Sequence, residues 1–597
     1  MRFKSRPTDG FRVFAVTGVN TVSFAIQASA KAKRDLLGFM VERFDPAENQ
    51  RFVMPGFKVF RSVVPQPQPQ LQVSTSDHPV QSLVWDDFTG KPDREYEYSF
   101  HPLRGRPKHL DRTARKVTIR VRTEKLFSDD EQDVFFNRGV ASSQAYERRF
   151  GLQPIDKLKP AKREEALRWL RRDLDTAILR FIDHARSGDT LLACFYEFRY
   201  QPVADALQTA RTRGVHVRII VDAKVNESTD KKGVFHPSFP REDNLKTITK
   251  ADLPKSSIVR RQANAADIQH NKFMVLLKGA AKRPSEVWTG STNISVGGLT
   301  GQTNVGHWVR DEAAARQFKA YWDLLAGDPG SAKGDDAATA RTKKAALRSA
   351  VAALGTFPAT LDDVPDGVTT VFSPRTGLAP LDFYVQLVDA ATSSACITLA
   401  FGVNKAFKDQ LKDNTAQSHI VFLLLEKKDQ PNKKSTTPFV AINAANNVYK
   451  AWGAFVRTPV YQWARETNAG ILGLNQHVSY VHSKFLLRDP LGDDPIVVTG
   501  SANFSEASTN ANDENMLIIR GNRRVADIYF TEFNRLFNHY YFRAVMESRN
   551  DAGSAASDAN LFLDESGKQW VKKYAPGKLR AKRLKVYTSM KGFTTLP

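Results

Sequence analysis

Two short stretches of the chain pair a histidine with a lysine two residues on: His270-Asn271-Lys272 and His482-Ser483-Lys484. Each opens an apolar run, Phe273-Met274-Val275-Leu276-Leu277 in one and Phe485-Leu486-Leu487 in the other. Each is followed by Gly-Ser-x-Asn: Gly290, Ser291 and Asn293 after the first, Gly500, Ser501 and Asn503 after the second. Side chains at i and i+2 of a strand share a face, so each His and Lys project together while Asn271 and Phe273, or Ser483 and Phe485, point the other way. Imidazole is the side chain that gives and takes protons near neutral pH. A glycine permits close backbone approach, and a helix start after each Gly-Ser-x-Asn would offer free N–H groups to a phosphate. One His-x-Lys is common by chance. Two copies with matching Gly-Ser-x-Asn at nearly equal distance point to a duplicated phosphate-handling site.

The elements around the motifs repeat as well. Leu167, Leu170, Leu174, Ile178, Phe181 and Ile182 recur at helical spacing, and Gly188 is expected to end that helix. A strand at Leu191–Phe195, a helix near 202–213 and a strand at Val215–Val221 follow. Beyond a breaker-rich stretch at 327–342, a helix at Leu381–Ala391 and strands at Cys396–Phe401 and Ile420–Leu425 repeat the order. Alternating strands and helices predict layered α/β halves. Residues 8–124 carry short β-branched runs and predict a β-sandwich with Trp85, Tyr96, Tyr98 and Phe100 in its core or rim. The alternating prolines of Pro65–Gln70 predict an extended loop. The expected organisation is an N-terminal all-β domain at 1–125, a first half at 126–330, linker and helix at 331–365, a second half at 366–548, and a basic tail at 549–597.

Composition narrows the partners. The 597 residues hold 87 Lys plus Arg against 64 Asp plus Glu, a formal charge of +23, which favours nucleic acid or anionic head groups. Nine Lys or Arg and no acidic residue fall between Gly567 and Pro597, and such a tail is expected to be solvated unless Trp570, Tyr574 and Tyr587 pack it down. The two cysteines, Cys194 and Cys396, exclude a disulfide framework and a Cys-rich metal site. No secretory signal and no transmembrane run is evident, so the expected location is cytoplasmic, or outside the cell by a signal-independent route.

The motifs resemble those of the phospholipase D superfamily, His-x-Lys-x4-Asp followed by Gly-Ser or Gly-Ser-x-Asn. The second copy matches through His482, Lys484, Asp489, Gly500, Ser501 and Asn503, and its continuation, Ser505, Asn512, Glu514 and Asn515, is similar to the small bacterial endonucleases of that superfamily. The first copy departs from the pattern: Leu277 stands at the Asp position, and only Thr303 or Asn304 stands where Glu514 does. The resemblance spans about residues 160–545. It implies two halves packed about a pseudo-two-fold axis with one site between them, and a covalent phosphohistidine formed by one histidine while the other acts as acid and base. Lys272, Lys484, Asn293 and Asn503 would hold the phosphoryl oxygens, with Ser291 and Ser501 beside them, and neither metal nor cofactor is implied. By the same analogy His270 is the nucleophile and His482 the acid–base. Glu514 would orient one imidazole, and were it to serve His482 the assignment would reverse. Asp489 reads as structural, and Glu197 is a candidate to orient His270. The expected function is a metal-independent phosphodiesterase acting on nucleic acid. A phospholipase D or phosphatidyl transferase acting on head groups, and a non-catalytic binding protein, are the alternatives. Both motifs lie in one chain, so a dimer is not needed to complete the site.

Overall fold

The computed structural model describes residues 1–67, 71–139, 144–151, 153–414, 419–431, 439–453, 480–551 and 562–596. The end of the alternating-proline stretch, 68–70, lies outside them, as does 552–561 of the expected tail.

Two seven-stranded mixed sheets carry the repeat. The first runs Gln132–Phe136, Val305–Val309, Arg283–Gly290, Lys272–Lys278, Thr190–Phe195, His216–Asp222, Ile258–Arg261. The second runs Gly367–Ser373, Glu514–Arg520, Ile496–Gly500, Phe485–Arg488, Ser394–Leu399, Ile420–Leu425, Val448–Trp452. Position by position the two match, with the last three strands parallel and the rest antiparallel in each. The duplicated sequence is thus a duplicated topology.

Strand alternation sorts the side chains. Phe273, Val275 and Leu277 enter a core shared with Phe485 and Leu487 of the other sheet and with helices Glu312–Ala326 and Arg523–Asp551. Met274 and Leu276 face helices Leu174–Asp183 and Gln201–Thr212, and Leu486 faces helix Ala379–Asp389. The two halves therefore share one apolar interior, which fixes the distance between the motifs at their strand starts.

The single helix expected across Leu167–Ile182 is two, Pro160–Arg171 and Leu174–Asp183. Arg172 breaks it in the left-handed region at φ 52°, where its guanidinium holds the Phe136 carbonyl and Glu532 of the second half. A tertiary ion pair overrides helical periodicity there. Leu174–Asp183 also stops before Gly188, which lies in the turn entering Thr190–Phe195.

The N-terminal strands form a four-stranded sheet and a sheet built on the long strand Glu95–Arg106, packed over a common core. Tyr96, Tyr98 and Phe100 are buried in it and Trp85 packs against it, with Phe24 stacked among them.

The basic C-terminal segment is not a solvated tail. The expected start at 549 falls inside helix Arg523–Asp551, and residues 562–596 contain helices Gln569–Lys572 and Leu579–Thr588. Trp570 donates to the Leu36 carbonyl, the Tyr574 hydroxyl accepts from Leu83 N–H, and Tyr587 accepts from Asn534 on the long helix. Burial of three aromatic rings holds the segment down while its lysines stay in water. Among the described residues no helix is long and apolar enough to cross a membrane.

The N-terminal domain is fastened to the second half by Arg2, 1% exposed, whose Nε donates to Asp527 and whose other nitrogens take the carbonyls of Pro490, Leu491, Gly492 and Lys591. Replacing it leaves the buried Asp527 carboxylate with the Met1 ammonium at 3.4 Å but without its hydrogen-bonded partner, a change that costs up to about 3–5 kcal/mol. Arg2→Met is expected to lower the denaturant midpoint accordingly while Asp527→Asn combined with Arg2→Met recovers part of the loss, which equilibrium unfolding of the two variants would check.

Candidate active site

The two motifs meet. His270 and His482 face each other with ring centroids 6.4 Å apart, both 5% exposed. Each histidine sits just before its strand, and there the halves exchange backbone bonds. His270 N–H donates to the Asp513 carbonyl (2.9 Å) and Asp513 N–H to the Ile268 carbonyl (3.0 Å). His482 N–H donates to the Thr303 carbonyl (3.2 Å) and Thr303 N–H to the Tyr480 carbonyl (2.9 Å). The residue after each bridge is the partner of the imidazole it bridges.

On one side that partner is Glu514, whose carboxylate oxygens both lie 3.0 Å from His270 Nδ1. Ser501 Oγ donates to the same carboxylate at 2.7 Å and Ser508 Oγ at 3.0 Å. On the other side it is Asn304, whose Oδ1 lies 2.9 Å from His482 Nδ1 and accepts from Ser291 Oγ at 2.8 Å. Asn304 Nδ2 donates to the Gly298 carbonyl at 2.7 Å, which fixes the amide with its oxygen toward the imidazole. An ionised carboxylate and an amide oxygen only accept, so Nδ1 of each ring carries the proton and Nε2 is left for chemistry. Glu514 thus serves His270 and not His482.

Sequence reasoning named Asn304, beside Thr303, at the place of Glu514 but gave it no role. It stands thirteen residues after Ser291, as Glu514 stands thirteen after Ser501, and that equal spacing was a usable signal. Ser508 and Tyr196, whose ring centroid lies 5.2 Å from that of His270, carried no signal of their own. The two motif serines are directed at the imidazole partners. Gly290 and Gly500 are where a Cβ would strike the carbonyls of Val305 and Asn515 on the neighbouring strand, so the close approach is strand to strand. The helix expected after each Gly-Ser-x-Asn is short: a π-type turn at Gly297–Gly301 and a helix at Glu506–Asn510 whose Ser508 N–H is capped by Ser505.

Glu197 does not reach His270. Its carboxylate accepts from Asn293 Nδ2 at 2.7 Å and pairs with Arg199 at 2.8 Å. The amide oxygens of Asn293 and Asn503 are buried without a partner among the described residues, a cost that a hydrogen-bond donor reaching each of them would relieve.

Lys272 and Lys484 are each 1% exposed, and each ammonium donates to the carbonyl of its own motif histidine. Burial lowers Lys272 to about 8 against the pull of Glu514 and Glu197, and burial with the nearby Lys272 charge takes Lys484 well below its ordinary value. Burial lowers His270 to about 4 although Glu514 opposes it, and His482, which has no carboxylate, is pushed well down by burial, Lys484, Lys272 and His270. Burial opposes ionisation of Glu514, but His270 and Lys272 hold its carboxyl below the usual range.

Asp489 is far from this chemistry. Its carboxylate accepts from the N–H groups of Thr392, Ser393 and Ser394 at the start of strand Ser394–Leu399. In the first half Asp189, just before the equivalent strand, accepts from Gly279 N–H and Arg186 N–H and binds Lys278. The carboxylate missing at Leu277 has moved to the neighbouring strand, so its loss leaves the site intact.

The family model described as cardiolipin synthase, PLD-like domain matches residues 178–325 and again 384–537, one match on each sheet and together just over half of the chain. The chain belongs to this phospholipase D-like family. Its members are enzymes of phosphodiester chemistry, and the two matched copies contain both His-Lys pairs and both Gly-Ser-x-Asn stretches. No curated protein matches the chain. Among solved structures, phosphatidylserine synthase from Haemophilus influenzae Rd KW20 aligns at TM-score 0.42 and 12% identity over 69% of this chain and 92% of its own. Polyphosphate kinase from Porphyromonas gingivalis aligns at 0.36 and 11% over 58% of this chain, which spans only 46% of that protein. The phospholipase D family member Nuc from Salmonella typhimurium aligns at 0.19 and 17% over 29% of this chain and 94% of its own.

Two expectations follow. Cations crowded between two low-pKa imidazoles take up protons when an anion enters, so inorganic phosphate is expected to bind at pH 7 with net proton uptake, measured by calorimetry in two buffers of different ionisation enthalpy. Hydrogen bonds from three N–H groups, with Arg488 nearby, keep Asp489 ionised below the usual range despite burial. Its contribution to stability is therefore complete above the unfolded pKa of about 3.9 and lost as the pH falls through the lower folded value. Asp489→Ala is expected to lower the melting temperature at pH 7, to flatten its fall in acid, and to leave turnover by folded protein unchanged, which melting curves from pH 7 down to 3 and rate assays would check.

Proposed function

We propose that this chain is a metal-independent phosphodiesterase that works through a phosphohistidine on His270. The convergence of two buried imidazoles with unlike partners carries this reading. Reacting contacts of about 3–3.5 Å on each side would place one phosphorus between the rings. His270 Nε2 attacks phosphorus and the bond to the leaving oxygen breaks as His482 Nε2–H gives that oxygen its proton. Water, or an alcohol, then gives a proton back to His482 and attacks phosphorus, and the N–P bond breaks to return neutral His270. Glu514 suits His270 to the first role because a carboxylate stabilises the positive charge that the ring acquires. A bound phosphodiester anion between Lys272, Lys484 and the rings raises the His482 pKa toward the value an acid needs. Lys272, Lys484 and the amides of Asn293 and Asn503 would hold the equatorial oxygens and supply the positive charge.

The +23 charge favours nucleic acid as the substrate. A phospholipid head group is the second reading. Ile268, Val296 and Phe401, close in sequence to His270, Asn293 and the end of strand Ser394–Leu399, are exposed and apolar, and the matched family model is described for cardiolipin synthase.

The test is turnover in EDTA of single- and double-stranded DNA and of phospholipid vesicles. His270→Ala and His482→Ala are each expected to reduce the rate by at least about 10²-fold. With an activated ester, bis(p-nitrophenyl) phosphate, departure of p-nitrophenolate needs no acid, so His482→Ala should accumulate a phosphorylated His270 peptide visible by mass spectrometry. Activity lost to EDTA, or an adduct on His482 in place of His270, would overturn the mechanism.

A further inference from the structure

The bridge that places Glu514 on His270 is held by a buried arginine–aspartate pair. Arg261, the last residue of strand Ile258–Arg261, is fully buried. Its Nε donates to Asp513 Oδ2 at 2.9 Å and its Nη2 to Oδ1 at 3.3 Å, a two-pronged pair with both side chains at 0% exposure. Its Nη1 donates to Asp328 Oδ1 at 2.9 Å and to the Pro329 carbonyl, at the start of the segment joining the halves. Asp513 is the residue whose backbone exchanges bonds with Ile268 and His270 and whose chain neighbour is Glu514. Around it, Asn512 Oδ1 accepts from Ile268 N–H at 3.2 Å, and Asn264 Nδ2 donates to the Ala511 carbonyl at 3.0 Å. Asp222 and Lys224, 3.7 Å apart, also lie against this cluster, with Asp267 and its partner Lys344 beside Lys224.

At the equivalent place in the other bridge stands Thr303, whose hydroxyl lies 3.2 Å from Ser483 Oγ. That contact is neutral. The strand of that bridge, 480–482, is held instead by the buried Glu426 carboxylate, which accepts from Tyr480 N–H at 3.0 Å and Val481 N–H at 2.6 Å, while the arginine–aspartate pair stands on the side of the histidine that has a carboxylate partner.

We propose that Arg261 is a positioning residue for His270: through Asp513 it holds the 512–514 backbone at the setting in which Glu514 meets the imidazole, and it ties that setting to the inter-half segment at Asp328. The planar guanidinium fork fits a carboxylate in one orientation, which an ammonium does not, so the role is specific to arginine. A shift of about 1 Å in a catalytic group costs on the order of 10²-fold in rate, and loosening of the bridge without a change of register would let Glu514 drift by that much.

The experiment uses the full chain carrying Arg261→Lys or Asp513→Asn, at temperatures well below each variant's melting point. Two quantities are read. One is the His270 titration, followed by NMR of protein labelled with ¹⁵N-histidine and assigned with His270→Gln. The other is kcat and KM on bis(p-nitrophenyl) phosphate. Both variants are expected to lower the His270 pKa, because Glu514 no longer supports the imidazolium, and to lower kcat by on the order of 10–100-fold with KM little changed. The inference rests on the phosphodiesterase reading for its kinetic half only. A protein that turns over no phosphodiester but whose His270 titration moves in both variants would defeat the function while upholding the positioning role. A His270 titration that stays in place in folded variants, whatever happens to their melting temperature, would overturn the proposal.

Discussion

The site depends on a crossed exchange of backbone hydrogen bonds. Residues 268–270 of the first half pair with Asp513, and 480–482 of the second pair with Thr303. Neither half holds its own histidine. A strand pair makes register discrete, since a slip by one residue turns every side chain to the other face. Glu514 and Asn304 therefore meet the imidazoles or miss them by a whole step. The shared apolar core beneath, with Phe273, Phe485 and the two inner helices, sets how far apart the bridges lie. Core packing controls the distance between the rings, and the bridges control which atom faces which.

Within that symmetric frame the chemistry is asymmetric at one side chain. Ser291 and Ser501 do the same thing, each giving its hydroxyl proton to the partner of the opposing half's imidazole. The partner is an amide in one case and a carboxylate in the other. A carboxylate stabilises an imidazolium by charge and by hydrogen bond, an amide by the hydrogen bond alone. Two rings in nearly identical positions thereby acquire unlike basicities, which is what a reaction needing one nucleophile and one proton donor requires. Duplication alone would have given two equal histidines. The departure of the first copy from its family pattern at Asn304 reads as division of labour rather than decay.

Much of this was legible beforehand because it rests on short-range pattern. Alternation placed His and Lys on one side of a strand and Phe273 and Val275 on the other, and the repeated strand–helix order gave two like halves. What stayed hidden depends on residues far apart in sequence. Which histidine Glu514 serves is decided by a contact across 244 positions. Glu197 was placed near the right site but on the wrong partner, because nothing local distinguishes a carboxylate aimed at Asn293 from one aimed at His270. Leu277 looked like a defect because the motif is written along one strand, while the carboxylate's work of pinning the adjoining turn can be done from Asp189 on its neighbour. The C-terminal segment misled for a related reason: nine basic residues outvote four aromatic ones in composition, but burial of Trp570, Tyr574 and Tyr587 decides where the chain lies.

The unoccupied balance of charge explains how such a site can bind its ligand. Two buried lysines and two buried imidazoles come together, and among the described residues Glu514 is the carboxylate that meets one of the rings. Desolvation lowers the pKa of all four bases, and neighbouring positive charges lower those of His270, His482 and Lys484 further, so part of the positive charge is stored as depressed proton affinity. An entering phosphodiester anion meets two effects at once. It pairs with ammonium groups that water cannot reach, where a charge–charge contact is stronger than at the surface. On the proposed mechanism it would also restore the proton affinity of His482, the ring whose partner is an amide, and so ready the acid by the act of binding. A neutral ligand of the same shape would gain neither. On that mechanism, selectivity for a phosphodiester and activation of the proton donor would be two consequences of the same cluster of buried bases.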